Sequence, residues 1–552
     1  MVLRRVKFIG LGSFLLAGQG LAAQDALDRT SPDQQGEREA LIVEMEQVVR
    51  IEFQPVLDQP LIPPDADADA LEVGSIVIDG LEALTRSDFA AVIEPFAGRS
   101  LGRTELRQLT DNVAALARTR GYILATAWIP QQALSGGILR VQIDEGAIDA
   151  VRVEGTDDPA IRAQLQHLVD LRPVTLSELQ RAVLLADDLP GVWIRSTRFE
   201  RDGARRVLVV NAGREDFGGS VLIATDGTKP IGPVRARIAF NANGLISARD
   251  RVDLSYSMTP INPDELAFFS ARYSVIVNDQ GTQLGLYGSY SHTEPGAYLT
   301  SSELQGESWQ GRISLRHPLI RTQRRSLWLE VSGEVQDLRQ DSFGALVRQD
   351  RIALARLGFY GYGPLAGGTF QGRATVSQGL NILGATNAGD PLASRSDTAP
   401  DFTTVTWWLN WRRGLAKRVS LSLAATGQFS TEPLLIGENF TLGGNAFLRG
   451  FDYGQRLGDQ GIAGSGELRY DWPGALGAKR DLQLYAFADG GTVSNLQDGR
   501  GGGTLASSGG GFRTDLTRDL DVDLEIAVPL TEPRFDTNDH SPRINLRVVQ
   551  SF

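Results

Sequence analysis

From about residue 215 onward, apolar and polar side chains alternate. Val252, Leu254 and Tyr256 interleave with Asp253, Ser255 and Ser257. Val419, Leu421, Leu423 and Ala425 interleave with Ser420, Ser422, Ala424 and Thr426. Leu482, Leu484, Ala486 and Ala488 face away from Gln483, Tyr485, Phe487 and Asp489, and Val522, Leu524, Ile526 and Val528 away from Asp521, Asp523 and Glu525. The last ten residues repeat the pattern: Ile544, Leu546, Val548 and Phe552 share one side with Gln550, while Asn545, Arg547 and Ser551 take the other. A period of two predicts strands with one greasy and one wet face. At roughly 21 residues per bilayer-crossing strand and its connection, residues 214–552 hold about 16 antiparallel strands. An open edge is not tolerated in hydrocarbon, so the sheet is expected to close into an all-β transmembrane barrel. Trp309, Trp328, Trp407, Trp408, Trp411 and Trp472 are candidates for its interfacial girdles.

The region before the barrel reads differently. Residues 72–146 predict strand, helix, helix, strand, strand. Ile76 and Ile78 lie on the first strand, Leu106, Leu109, Val113 and Leu116 on a helical face, and strands follow at 125–129 and 138–143. Residues 147–213 repeat the alternation of strands and helices, with helices near 159–169 and 176–187. Two small α+β modules are the economical reading, each with a sheet that needs helices on one face. Their sheet edges are expected to accept a guest strand.

Further upstream, Leu41, Ile42, Met45, Val48 and Val49 recur at helical spacing, which predicts an amphipathic helix within the segment 24–52. Residues 53–71 form a linker, marked by Pro60, Pro63, Pro64 and alternating aspartates from Asp65 to Asp69. Arg4, Arg5 and Lys7 precede a short apolar run that ends near Leu21-Ala22-Ala23, so residues 1–23 read as a secretory signal peptide.

Composition adds constraints. Cysteine is absent, which removes disulfide staples and thiolate metal sites. The net charge of -12 argues against a nucleic-acid partner. Glycine, at 61 residues, suits tight turns and crowded barrel interiors. No H-E-x-x-H or complete Walker A run is present, the one G-x-S-x-G run (Gly98 to Gly102) has no histidine near it in sequence, and His167, His292, His317 and His540 have no metal-binding spacing. These features predict no enzyme, no cofactor and no metal site.

Two motifs are more specific. Leu442-Gly443-Gly444-Asn445-Ala446-Phe447-Leu448-Arg449-Gly450-Phe451 combines a double glycine with an arginine-glycine-aromatic tip. Tyr485-Ala486-Phe487-Ala488-Asp489-Gly490-Gly491 has the form F-x-D-x-G, with Asp489 on the polar side of its strand. In the soluble part, Gly121-Tyr122 is followed by Pro130, Gln131 and Gln132, then by Glu145-Gly146, and the second module carries Asp188-Leu189-Pro190-Gly191. Together these resemble the outer-membrane transporters of two-partner secretion, the haemolysin/haemagglutinin secretion-activation family, within the wider superfamily of POTRA modules joined to a barrel.

The resemblance implies an N-terminal helix that can plug the pore, POTRA domains at 72–146 and 147–213 in the periplasm, and a 16-stranded barrel in the bacterial outer membrane. It implies that Gly443, Gly444, Arg449, Gly450 and Phe451 lie on the sixth extracellular loop, folded into the barrel against Phe487, Asp489 and Gly491. Gly121, Tyr122, Pro130, Gln131 and Gln132 would mark a client-binding region. The implied partner is one large exoprotein with an N-terminal secretion domain, received unfolded in the periplasm, with outer-membrane lipid around the barrel and periplasmic chaperones as further candidates. The tip reads Leu-Arg-Gly-Phe where the family usually has valine and tyrosine around the same arginine-glycine. Two other classes share part of the pattern. An assembly factor for other barrels keeps every motif and changes only the client. A passive porin explains the alternation but neither the modules nor Arg449.

Overall fold

The computed structural model describes residues 52–54 and 71–552, except 133, 134, 204, 478–480, 498 and 500. The expected signal peptide, the amphipathic helix near 37–50 and most of the linker lie outside the described residues.

Sixteen antiparallel strands, from Phe217–Ala224 to Arg543–Ser551, form a closed barrel. Closure is made by pairing the first strand with the last, in a register that sets Ser220 opposite Ser551 and Ala224 opposite Arg547. The alternation sorts the wall as the sequence predicts. Leu254, Tyr256, Leu423, Leu484, Ile526 and Ile544 are exposed on the outside, whereas Ser255, Glu334, Glu467, Asp489 and Glu525 are buried toward the lumen. No described helix is long and apolar enough to cross a membrane; the crossings are strands. Two tryptophans depart from the girdle expectation. Trp328 shares its strand face with Glu334 and stacks on Tyr360 at 5.3 Å, and Trp408 lies on the lumenal side with Thr404. Trp309 and Trp472 are each 48% exposed on the outer wall.

Ahead of the barrel stand two small modules. In the first, β2 (Leu71–Val73) pairs with β4 (Arg99–Leu101), and β3 (Ser75–Asp79), β6 (Ile138–Asp144) and β5 (Thr126–Trp128) form a three-stranded sheet in that order. Helix α1 (Arg103–Thr119) starts where the Glu105 carboxylate accepts the Gly102 amide at 2.9 Å, so a first-turn side chain satisfies the backbone donor just ahead of the helix. Its buried face, Leu109, Val113 and Ala117, closes a core with Ile78, Leu139 and Val141. Three short helical turns span 86–96, where one helix was expected.

The second module holds β7 (Ala150–Glu154), β8 (Val192–Asp202) and β9 (Arg205–Arg214) under α2 (Pro159–Asp170) and α3 (Leu176–Asp187). Asp158 caps α2 through the Ala160 amide, and Thr175 with Glu178 boxes the start of α3. The edge expected to be open is partly taken. Strand β1 (Glu52–Gln54) pairs in parallel with β8 over residues 196–198, so the chain covers that stretch of edge itself.

The modules are tied to each other and to the barrel. Leu124 belongs to the core of the second module, and the Leu176 amide donates to the Gly121 carbonyl at 2.8 Å. Ile276, on a barrel strand, is buried in that same core.

Candidate functional site

The segment 431–459 leaves the barrel rim farthest from the modules and turns back into the lumen. A short hairpin, Phe440–Leu442 with Arg456–Gly458, frames it. Between those strands the chain doubles back at Gly443, whose φ of +103° is accessible to glycine and costly for other residues. Leu448 also takes a left-handed conformation, at φ 60°. That turn aims Arg449 at the wall and sends Leu448 and Phe451 into an apolar cluster with Phe440, Leu442, Ala463, Val493 and Leu505. Phe451 is fully buried there.

Arg449 is the centre of the site. Its backbone amide and its Nε each donate to Asp489 Oδ2 at 3.1 Å, and Nη2 donates to Oδ1 at 3.1 Å. Nη1 donates to Glu467 Oε2 at 2.9 Å and Glu525 Oε2 at 3.1 Å, and Nη2 to Ser465 Oγ at 3.1 Å. The guanidinium carbon lies 3.3 Å from the Phe487 ring centroid, so the ring's negative face backs the cation. Each N–H direction of the planar fork meets an acceptor, which is why a lysine is no substitute. Glu467 is shared with Arg469 and Arg513, at 2.6 and 2.9 Å. Asp523 joins through Arg513 at 3.0 Å, so four carboxylates and three arginines share this part of the confined lumen.

The glycines make the approach feasible. A Cβ on Gly450 would lie 2.7 Å from the Val528 carbonyl carbon and 2.9 Å from Ser507 Cβ. On Gly491 it would lie 3.1 Å from Leu442 Cδ2. Gly444 donates its amide to the Phe451 carbonyl. The eight motif residues are therefore brought together, five from the loop and three supporting it from the wall strand Leu482–Ser494.

Two further anchors of this loop have no motif in the sequence. Asp452 accepts from Arg534 Nη2 at 2.6 Å and from the Asp536 amide at 3.0 Å. Asp459 accepts from Arg395 Nη1 at 2.7 Å and from the amides of Leu434 and Leu496 at 2.8 Å. Glu467 is the main residue that sequence reasoning missed. Its signal was the strand register, which sets Glu467 directly across from Phe487.

The module residues have internal contacts. Tyr122 packs on the first module's core. Gln132 exchanges two hydrogen bonds with the Arg140 backbone, at 2.7 and 3.0 Å. Gln131 is exposed, and Pro130 is half-buried.

A closed 16-stranded barrel with an internal arginine-bearing loop and two docked α+β modules defines an outer-membrane transporter with periplasmic POTRA domains. The model of the family described as Haemolysin secretion/activation protein ShlB/FhaC/HecB matches residues 203–514, and that of the ShlB-type POTRA domain matches residues 71–146. The chain belongs to the haemolysin secretion/activation family. It is 24% identical over 578 residues to the outer membrane transporter CdiB of Escherichia coli, covering 97% of this chain and 90% of that protein. It is 23% identical over 405 residues to the heme/hemopexin transporter protein HuxB of Haemophilus influenzae (strain 86-028NP), covering 71% and 70%. The solved structure of CdiB from Escherichia coli superposes with a TM-score of 0.72 at 21% identity, covering 99% of this chain and all of that one. The protein is an outer-membrane translocator of the two-partner secretion kind. Its modules face the periplasm, and segment 431–459 hangs from the extracellular rim.

Proposed function

We propose that this transporter receives one large exoprotein, unfolded and bearing an N-terminal secretion domain, on its POTRA modules and passes it through the barrel when segment 431–459 moves. The Arg449 cluster carries this reading. A loop held by a fully paired buried cation has a defined resting position, and leaving it costs about 3–5 kcal/mol unless new partners replace the old. An extended client lined by its own polar backbone supplies such partners. The first contact is strand addition: β5 is an outer strand of its sheet and leads directly into Pro130, Gln131 and Gln132. Gly121 and Tyr122, at the junction of the modules, would set the angle at which the client is presented. Periplasmic chaperones escort the client to this edge, and outer-membrane lipid surrounds the wall. The lumen is polar at Asp253, Glu525 and Arg547, so the moving chain keeps its hydration. We also take the protein to perform no catalysis. Secretion by each single histidine variant tests that, with unchanged secretion expected.

The test of the main reading is Arg449→Ala. Secretion is expected to fall at least about tenfold while folded barrel abundance stays at the wild-type level. Full secretion at normal abundance would overturn the role of the loop. Deleting the whole chain should remove one exoprotein and spare other barrels; a fall in many barrels would assign assembly instead.

A further inference from the structure

A second buried arginine sits at the periplasmic rim, outside the loop site. Arg321 ends the strand Leu304–Arg321 and is 5% exposed. Its Nη2 and Nε grip both oxygens of Asp188, at 2.6 and 2.8 Å. Asp188 follows α3 directly and opens the Asp188-Leu189-Pro190-Gly191 turn, so this ion pair joins the second module to the barrel. The barrel holds the arginine ready. Nη1 donates to Tyr362 Oη at 3.1 Å and to Ser326 Oγ at 3.3 Å, and the guanidinium lies over Trp328 at 5.3 Å.

The surrounding contacts are weaker and act in the same direction. Arg181 on α3 donates to the Pro318 carbonyl at 3.2 Å, and Gln164 on α2 donates to the Asp279 carbonyl at 2.7 Å. Both acceptors are backbone groups, which resist sliding but do not distinguish one side chain from another. The bidentate pair is the contact with direction: a fork meeting a carboxylate fixes angle as well as distance.

We propose that Asp188 and Arg321 are a positioning pair that fixes the second POTRA module over the pore mouth, so that a client held by the modules arrives at the lumen. The second step rests on the reading above that the modules deliver the client. Neither residue touches the loop cluster. Removing Asp188 strips the buried arginine of its bidentate counter-charge and leaves it hydroxyl partners and a ring. The module then keeps its covalent link through β9 and loses its fixed tilt.

The absence of cysteine allows a direct reading of position. Spin labels at Asp170→Cys on α2 and Lys417→Cys on a periplasmic turn report the module-to-barrel distance in the full chain. The unmodified pair should give a narrow distribution. Asp188→Ala and Arg321→Ala should each broaden it and lower secretion about tenfold, at unchanged folded barrel abundance. The exchange Asp188→Arg with Arg321→Asp should narrow it again and restore most secretion, because Ser326 and Tyr362 can donate to an aspartate. A narrow distribution in both alanine variants would overturn the positioning role. Loss of folded barrel in all of them would overturn it too, assigning the pair to folding. Broad distances with full secretion would refute the link from position to delivery and leave the loop reading standing.

Discussion

The loop site and the second module bury charge by different routes. In the lumen, Arg449 has three carboxylates, a hydroxyl and an aromatic face around it. In the module, Asp187 is largely buried with one strong donor, the Ile194 amide at 2.6 Å. Burial pushes its carboxyl up to about 6, against that hydrogen bond, and neighbouring Asp188 adds to the rise. A charge with partners on every side can be held in place as a latch. A carboxyl with a single amide gives way by holding its proton. The difference teaches where this protein stores conformational specificity: in the barrel interior, where paired charges define one resting state.

The largest effects should come from breaking the paired side. Asp489 takes three of the hydrogen bonds of Arg449, whereas Glu467 and Glu525 take one each. Asp489→Ala should therefore release the loop most, at about 3–5 kcal/mol, with Glu467→Gln and Glu525→Gln following in that order. Extracellular protease access to 443–451 measures release, and secretion measures consequence. Equal effects from all three would mean that the charges act as an undirected cluster.

The same contrast explains what was readable beforehand. The barrel was legible because lipid on one side and water on the other impose alternation along its strands, and the count of about sixteen followed from the length of the region. Helix α1 was legible from the spacing of Leu106, Leu109, Val113 and Leu116, and helices were expected near 159–169 and 176–187, where α2 and α3 lie. Strands β1, β2 and β4 and the hairpin at 440–442 and 456–458 were not, since three residues carry no period of their own; β5 is as short, but lies within the apolar run 125–129. Arg449 and Asp489 were matched through motifs, and the structure places them in contact. Glu467 was missed because lumenal carboxylates look alike until the register sets one opposite Phe487. Trp328 and Trp408 were assigned to the girdle by residue type, although parity with Glu334 and Thr404 already placed them inside.

A subtler way to sharpen the comparison leaves every charge in place. Gly450→Ala adds one methyl group where backbone at Val528 and Pro529 stands 2.7–2.8 Å away. The expected loss of loop docking is about 1–3 kcal/mol. Protease access should rise with less change than in Asp489→Ala, and secretion should fall partially. Wild-type protection of the loop would show that the tip has room the geometry denies it.

On the unpaired side, the sign is opposite. The folded module keeps the Asp187 proton up to about pH 6, while the unfolded chain releases it near the ordinary 3.8. The folded state binds more protons between those values, so this group's contribution to stability is fullest below about pH 4 and declines as pH rises to 6. Asp187→Asn keeps an acceptor for the Ile194 amide and removes the titration. It should stabilise the module at pH 7 by about 1–2 kcal/mol, discounted for partial exposure. Pulse proteolysis of the full chain in urea at pH 4.5 and pH 7 reads this. An unchanged pH dependence in the variant would place the titration elsewhere.

The smallest effects separate the two faces of the wall. Trp328 lies inside, beneath Arg316 at 5.1 Å and Arg321 at 5.3 Å. Trp309 lies outside, about half exposed toward lipid. Trp328→Ala removes cation–π support worth about 0.5–1 kcal/mol at such sites, and the arginine it loosens is the one that holds Asp188. Its effect should appear as a modest broadening of the module-to-barrel distance, with the barrel's unfolding midpoint in lipid nearly unchanged. Trp309→Ala should do the reverse, lowering that midpoint slightly through a lost interfacial anchor and leaving the distance alone. If both substitutions moved the same observable, the tryptophans would be acting through general wall stability, and the lumenal face would have no separate hold on the module.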